Sequence, residues 1–233
     1  MRKTTNMEEI RNTALAFLNL DISGQDSEFY PAILQHPFFN TAFVPIENES
    51  GKEVRFADVT TQEGLDLAKE NFKKRILQAN LNRLIIIINK PYRMAFLKHI
   101  RTYLSREDFS KLLRAIWIDS ENPSQDPNVS VRTLASWFKR ADKQFLMTKE
   151  EFAAYTSFSE EIEIFRGVAV GRNPDGLSWT PKREVAEWFA HRFDKNDRKG
   201  YIKRATIRKE DVLAYFSTEK EIVANVQEYE IVS

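Results

Sequence analysis

Three patterns predict an α+β fold for this 233-residue chain. From Met7 to about Phe158, apolar residues recur at threes and fours, as helices that pack one face on a core require. From Ile162 onward they alternate. Ile162, Ile164, Val168 and Val170 share one parity, the mark of a half-buried strand. One more helical stretch follows, and several short strand-like runs then complete the sequence. Residues 1–158 therefore read as a mainly helical region and residues 159–233 as a strand-rich one.

Met7 to Leu20 reads as a helix with Ile10, Ala14, Phe17 and Leu18 on one face. Asp21 to Pro31 is loop-like, and Ala32 to Phe39 is expected as a short helix broken by Pro37. Phe43–Ile46 and Val54–Phe56, separated by Asn48–Lys52, suggest a hairpin in which Pro45 marks an edge strand. Thr61 to Ile88 is expected as helix through Leu65, Ala68, Phe72, Ile76, Ala79 and Arg83. Its closing Leu84–Ile88 run is expected as a fully buried helix end, with a buried strand as the alternative. Pro91 opens a helix to Leu104, and Ser105 precedes one that turns Phe109, Leu112, Leu113, Ile116 and Trp117 inward. The two prolines of Asn122–Asn128 break the pattern. Ser130 caps a helix carrying Leu134, Trp137 and Phe138, and Thr148 with Glu151 forms a capping box for Lys149–Tyr155. Trp117, Trp137 and Phe138 stand at helical spacing among apolar residues and read as core.

In the strand-rich region, Thr180 is a candidate N-cap and Pro181 a candidate first helical residue. Val185, Phe189 and Phe193 then repeat every four residues beside Ala186 and Ala190, as a core-facing stripe does. His191–Gly200 is a charged loop, Tyr201–Arg208 a strand and Glu210–Tyr215 a short turn or strand. Glu221–Asn225 and Tyr229–Val232 close the chain as strands.

Composition narrows the function classes. Charged residues make up 30% and apolar residues 42% of the chain, which fits a soluble globular protein rather than a disordered one. The formal net charge of +1 gives no electrostatic reason to expect nucleic acid or an anionic membrane as partner. The chain has no cysteine, so disulfides, thiol nucleophiles and zinc–thiolate sites are excluded. Its three histidines, His36, His99 and His191, are scattered, and no metal site is expected. The first residues lack the apolar core of a signal peptide, and the aliphatic run Leu84–Ile88 is far shorter than the roughly 20 residues a membrane span needs. An intracellular, cytoplasmic location is expected, whether of a bacterium or of an infected host cell.

One residue interrupts the strand pattern. Arg166 falls on the apolar parity of Ile162, Ile164 and Val168, where a guanidinium is costly unless paired; its fork of donors suits carboxylates and phosphates. Twelve residues later Ser178-Trp179-Thr180 ends a short apolar piece before Pro181. Near the C-terminus comes Phe216-Ser217-Thr218-Glu219-Lys220-Glu221. Singly, each has an ordinary explanation: a structural ion pair, a cap and turn, a solvated charge run.

Together and in this order, Phe165-Arg166-Gly167, Ser178-Trp179-Thr180 and Phe216 to Glu221 resemble the three motifs of mono-ADP-ribosyltransferases of the arginine-serine-glutamate class, which includes bacterial toxins and phage enzymes. The resemblance covers about the last third of the chain. It implies a split, mixed β-sheet, with NAD as substrate and no metal. It further implies that Arg166 and Gly167 belong to the NAD site, with Arg166 holding a phosphate or the adjacent ribose. Ser178 would orient Glu221, and Thr180 would support the sheet. Glu221 would hold a ribose hydroxyl and face the sugar cation. Glu219 would face the acceptor, on one strand face with Glu221, and Phe216 would sit on the turn that recognises it. Phe193 is the candidate aromatic against nicotinamide. Trp179 departs from the small middle residue common in the family.

The expected function is transfer of ADP-ribose from NAD to a macromolecule, a protein in the first instance and an arginine by the family's Glu-x-Glu pattern. The biological setting it implies is a bacterial or phage effector acting on host machinery or defence. Two alternatives stay open: an NAD glycohydrolase, and an inactive fold that binds a partner through its helical region. That region, 1–158, is expected to choose the target.

Overall fold

The computed structural model describes residues 3–30, 32–47, 54–195 and 197–232. They form an α+β structure in two compact units, residues 1–105 and 106–233. The predicted helical region 1–158 is thus shared between them: the helices from Arg106 onward belong to the same unit as the later strands.

The first unit contains α1 (Met7–Leu18), the antiparallel pair β1 (Phe43–Glu47) and β2 (Val54–Asp58), then α2 (Gln62–Gln78), α3 (Leu81–Ile87) and α4 (Lys90–Ile100). The residues between β1 and β2 lie outside the described ones. Asn6 caps α1 by accepting from the Glu9 N–H at 3.3 Å, and Ile10, Ala14 and Leu18 are buried, as the spacing requires. The expected long helix 61–88 is two helices. Ala79 leaves helical geometry, and Asn80 starts a new helix by accepting from the Arg83 N–H at 2.9 Å. The aliphatic run is helical, but Ile86 is 70% exposed, so it is not buried throughout. The expected helix Ala32–Phe39 is absent. Gln35 instead pairs with Ser23 in an isolated bridge, and the His36 imidazole accepts from the Phe38 N–H, bonding that a helix would forbid.

The second unit begins with α5 (Arg106–Asp119), α6 (Val131–Arg140), α7 (Lys143–Leu146) and α8 (Lys149–Thr156). Ser130 and Thr148 cap α6 and α8 as predicted, and the reciprocal Thr148–Glu151 capping box is complete. The strands follow: β3 (Glu161–Val168), β4 (Ser178–Trp179), then α9 (Arg183–His191), β5 (Tyr201–Arg208), β6 (Val212–Phe216), β7 (Glu221–Ala224) and β8 (Glu230–Val232). They form two three-stranded sheets, β3-β5-β8 and β4-β7-β6. Every described pairing is antiparallel, so the sheet is split but not mixed. Among the described residues one bridge, Phe165 to Thr180, links the two sheets along the β3–β4 edge.

Helix α9 starts two residues later than Thr180 and Pro181 suggest; the Thr180 hydroxyl accepts from the Lys182 N–H at 3.2 Å and closes a turn instead. Its orientation also differs from expectation. Ala186 and Ala190 are the buried pair, packed with Phe165 and Ile202, whereas Phe193 is 45% exposed. Gly167 explains the buried pair: a Cβ there would collide with the main chain of Ala186 and Ala190. Helix and strand approach closely at Ala186 and Ala190; Val185 and Phe189 are half-buried against the cleft, and Phe193 lies beyond the helix end.

Candidate active site

A cleft of about 530 Å³ opens in the second unit, within the usual size range of small-molecule sites. Its lining includes Arg166, Gly167, Ser178, Thr180, Phe193, Phe216, Glu219 and Glu221, drawn from β3, β4, the end of α9 and the β6–β7 hairpin. Residues separated by as much as the span from Arg166 to Glu221 thus share one concavity.

Glu221 opens β7 opposite Phe216, the last residue of β6. Its carboxylate accepts from the Trp117 indole N–H at 3.1 and 3.2 Å, one distance to each oxygen, and from the Ser178 side chain. Burial pushes the carboxyl above its ordinary range, the bonds from Ser178 and Trp117 pull it back, Glu219 raises it and Arg166 lowers it. The net direction is upward. Trp117, read from sequence as core alone, is buried as expected and also reaches the site; no periodicity in the sequence records where a ring nitrogen points.

Arg166 lies on the parity of Ile162 and Ile164 and is partly buried there. Its guanidinium donates to main-chain carbonyls: Ser178 at 2.8 Å, Asn173 at 3.0 Å and Pro174 at 3.4 Å. Burial disfavours its charge, while Glu221, Tyr201 and Asp175 favour it. Arg166 therefore braces β4 and the loop before it while setting a positive charge near Glu221. Gly176 leaves the space its guanidinium fills. Across the β3–β5 register its neighbour Lys203, 1% exposed, donates to the Pro174 carbonyl at 3.0 Å and stands 3.7 Å from the Tyr229 ring centre. In the sequence Lys203 shares the parity of Tyr201, Ala205 and Ile207, a lysine on a strand's buried side.

Glu219 and Phe216 depart from expectation. Phe216 is a buried strand residue, 1% exposed, and not part of the turn. Glu219 belongs to the four-residue turn 217–220, so the strand alternation that would align it with Glu221 does not apply. Lys220 takes a left-handed φ of 52°, which turns the chain sharply between the two glutamates. The turn is anchored at its first residue: the Ser217 N–H and hydroxyl donate to Glu151 at 3.0 and 3.2 Å. Glu151, 1% exposed, also takes a bidentate ion pair from Arg114 at 2.5 and 3.1 Å. Burial would raise this carboxyl, but the bonds from Arg114, Thr148 and Ser217 hold it below the usual range.

Comparison with known proteins returns no matching family model, no matching curated protein and no matching solved structure. The geometry alone characterises the site.

Phe189, Phe193, Arg172 and Arg192 also line the cleft, as does the 3-10 turn Pro123–Gln125. Arg172 and Arg192 both stack on Phe193, at 5.4 and 4.8 Å from its ring centre. Burial and then Arg172 disfavour the Arg192 charge, while Glu219 and Glu121 favour it. The breaker Asn122–Asn128 contributes Asn122–Gln125 to the lining, and the Ser124 carbonyl accepts from the Asn173 amide at 3.0 Å. Trp179 also lines the cleft, and its buried indole nitrogen has no partner among the described residues. No group of three or more His, Asp or Glu side chains among the described residues is disposed to hold a metal ion. Among them, too, no helix is long and apolar enough to cross a membrane.

Proposed function

We propose that this cleft binds NAD and transfers its ADP-ribose to a macromolecular acceptor, a protein in the first instance, in the manner of the mono-ADP-ribosyltransferases that the three motifs resemble. The observation that carries the reading is Glu221: a carboxylate at a cleft wall, held through Ser178 and Trp117, with a guanidinium nearby.

In this reading the bond between nicotinamide and its ribose breaks with both electrons leaving on the nicotinamide nitrogen. Positive charge develops on the sugar, and the ionised Glu221 stabilises it; a carboxylate does the same work in glycoside hydrolysis. A preformed carboxylate whose donors are already in place needs little reorganisation as that charge appears. Arg172 and Arg192 supply the positive wall suited to a diphosphate. Arg166, occupied with three carbonyls, contributes its charge and holds the loop Asn173–Pro174 in shape. Glu219, on its turn at the same cleft, meets the acceptor. An arginine acceptor is protonated at neutral pH and must lose a proton to attack the sugar carbon; Glu219 is the group to take it.

Incubation with labelled NAD in lysates of candidate bacterial hosts tests the reading. Label on a protein band supports transfer, and free ADP-ribose alone means hydrolysis by water. Neither product leaves the fold as a binding module.

A further inference from the structure

Helix α5 turns Phe109, Leu112, Leu113, Ile116 and Trp117 to the interior, and a core role accounts for the first four completely. Trp117 differs. Its ring is 2% exposed and packs edge-on against Phe138 at 4.9 Å, so the indole has little freedom to rotate. Its one polar atom bonds neither a main-chain carbonyl nor a structural side chain. It bonds the cleft carboxylate of Glu221, almost equally to both oxygens.

That choice of group has chemical content. An indole N–H donates only; it neither titrates in the accessible range nor adds a formal charge. A lysine or histidine in its place would compete with a cationic sugar for the carboxylate. The indole orients the carboxylate and favours its anionic form without neutralising it. We infer that Trp117 is a positioning residue, fixing the rotamer of Glu221 from helix α5 while Ser178 holds it from β4. The inference rests on the proposed NAD chemistry for its catalytic meaning, but the contact can be tested without it.

Two measurements serve. In the full-length protein, one of the four tryptophan indole N–H resonances is expected to move with pH as Glu221 titrates, to stop moving in Glu221→Gln and to vanish in Trp117→Phe. The groups facing Glu221 that could also drive such movement are Glu219 and Arg166, and Glu219→Gln serves as the control. In turnover, Trp117→Phe is expected to lower kcat by about tenfold or more, the worth of one charge-assisted hydrogen bond, with KM for NAD within about twofold. The acid limb of its pH–rate profile is expected to shift upward, which a merely structural loss would not produce. If no indole resonance follows Glu221, or if a folded Trp117→Phe keeps the wild-type kcat and acid limb, the inference is overturned while the proposed function stands. If the wild type turns over no NAD, the proposed function fails and the catalytic meaning of the contact goes with it; the resonance experiment then reports the contact alone.

Discussion

Phe165 and Thr180 exchange both of their main-chain hydrogen bonds, at 2.7 and 2.8 Å, and this pair joins the two three-stranded sheets. The residue after Phe165 is Arg166, and two before Thr180 stands Ser178, whose carbonyl takes an Arg166 N–H. The seam between the sheets is therefore also where the site is assembled. Anything that weakens it acts on stability and on the cleft together.

Glu221→Gln separates those two effects. A carboxyl whose pKa is raised in the fold contributes its stability below the unfolded value and loses it as pH rises through the folded one. At neutral pH the Glu221 carboxyl therefore costs the fold stability. Glutamine can still accept from Trp117, so this variant is expected to melt higher than wild type near pH 7.5 and to lose that advantage near pH 4. Turnover is expected to fall by at least about a hundredfold, roughly 3 kcal/mol of transition-state stabilisation. Calorimetry and an NAD assay across pH check both parts, and near-normal turnover would remove Glu221 from its role.

Arg166→Lys keeps the charge but cannot span three carbonyls. The melting temperature is expected to drop, by the loss of about 2 kcal/mol, and NAD affinity to weaken at least about tenfold as the loop loosens. Titration calorimetry beside thermal melts distinguishes the two. A lowered melting temperature with unchanged affinity would leave Arg166 a brace alone.

Glu219→Gln is expected to suppress transfer to the acceptor while slow NAD hydrolysis continues, because Glu221 remains. Mass spectrometry of the labelled target identifies the acceptor. A modified asparagine, serine or base would overturn arginine while sparing the enzyme class.

Gly167→Ala tests the close packing of α9. The added methyl meets the main chain at Ala186 and Ala190, which cannot yield as a flexible side chain would. A loss of about 1–3 kcal/mol is expected in urea denaturation. Wild-type stability would mean that helix and strand can separate freely.

His36 sets a pH limit in the first unit. Burial lowers its pKa from 6.5 to about 4, and the neutral ring accepts from Phe38 N–H while donating to the Leu20 carbonyl at 3.1 Å. Between those two values the unfolded chain binds the extra proton, so stability is complete above about pH 6.5 and declines towards pH 4. The whole effect is at most about 3 kcal/mol. In His36→Gln the difference between melts at pH 7 and pH 4.5 is expected to shrink.

Much of this architecture was legible because local chemistry dictates it. Ser130 and Thr148 cap helices with the side-chain bonds their types allow, and strands β3 and β5 form over Ile162–Val168 and Tyr201–Arg208. The reading failed where a long-range contact or a single backbone angle decides. Nothing local foretells that Gly167 draws α9 close at Ala186 and Ala190, or that Lys220 adopts a left-handed φ and takes Glu219 off the strand. The break at Asn80 was missed because the apolar spacing continues across it. At the site, residue types pointed to Arg166, Ser178 and Glu221, but the direction of the Trp117 N–H belongs to tertiary packing.

Glu151 serves three masters with two oxygens: it completes the α8 capping box, pairs with Arg114 and pins Ser217 at the root of the turn that carries Glu219. Those three partners share one carboxylate, so their mutational energies cannot simply add. Removing Arg114 also alters the carboxylate that Thr148 and Ser217 depend on, and each double variant should cost less than the sum of its singles. The start of a helix and the turn 217–220 are thus thermodynamically one object, and evolution can retune neither without renegotiating the other.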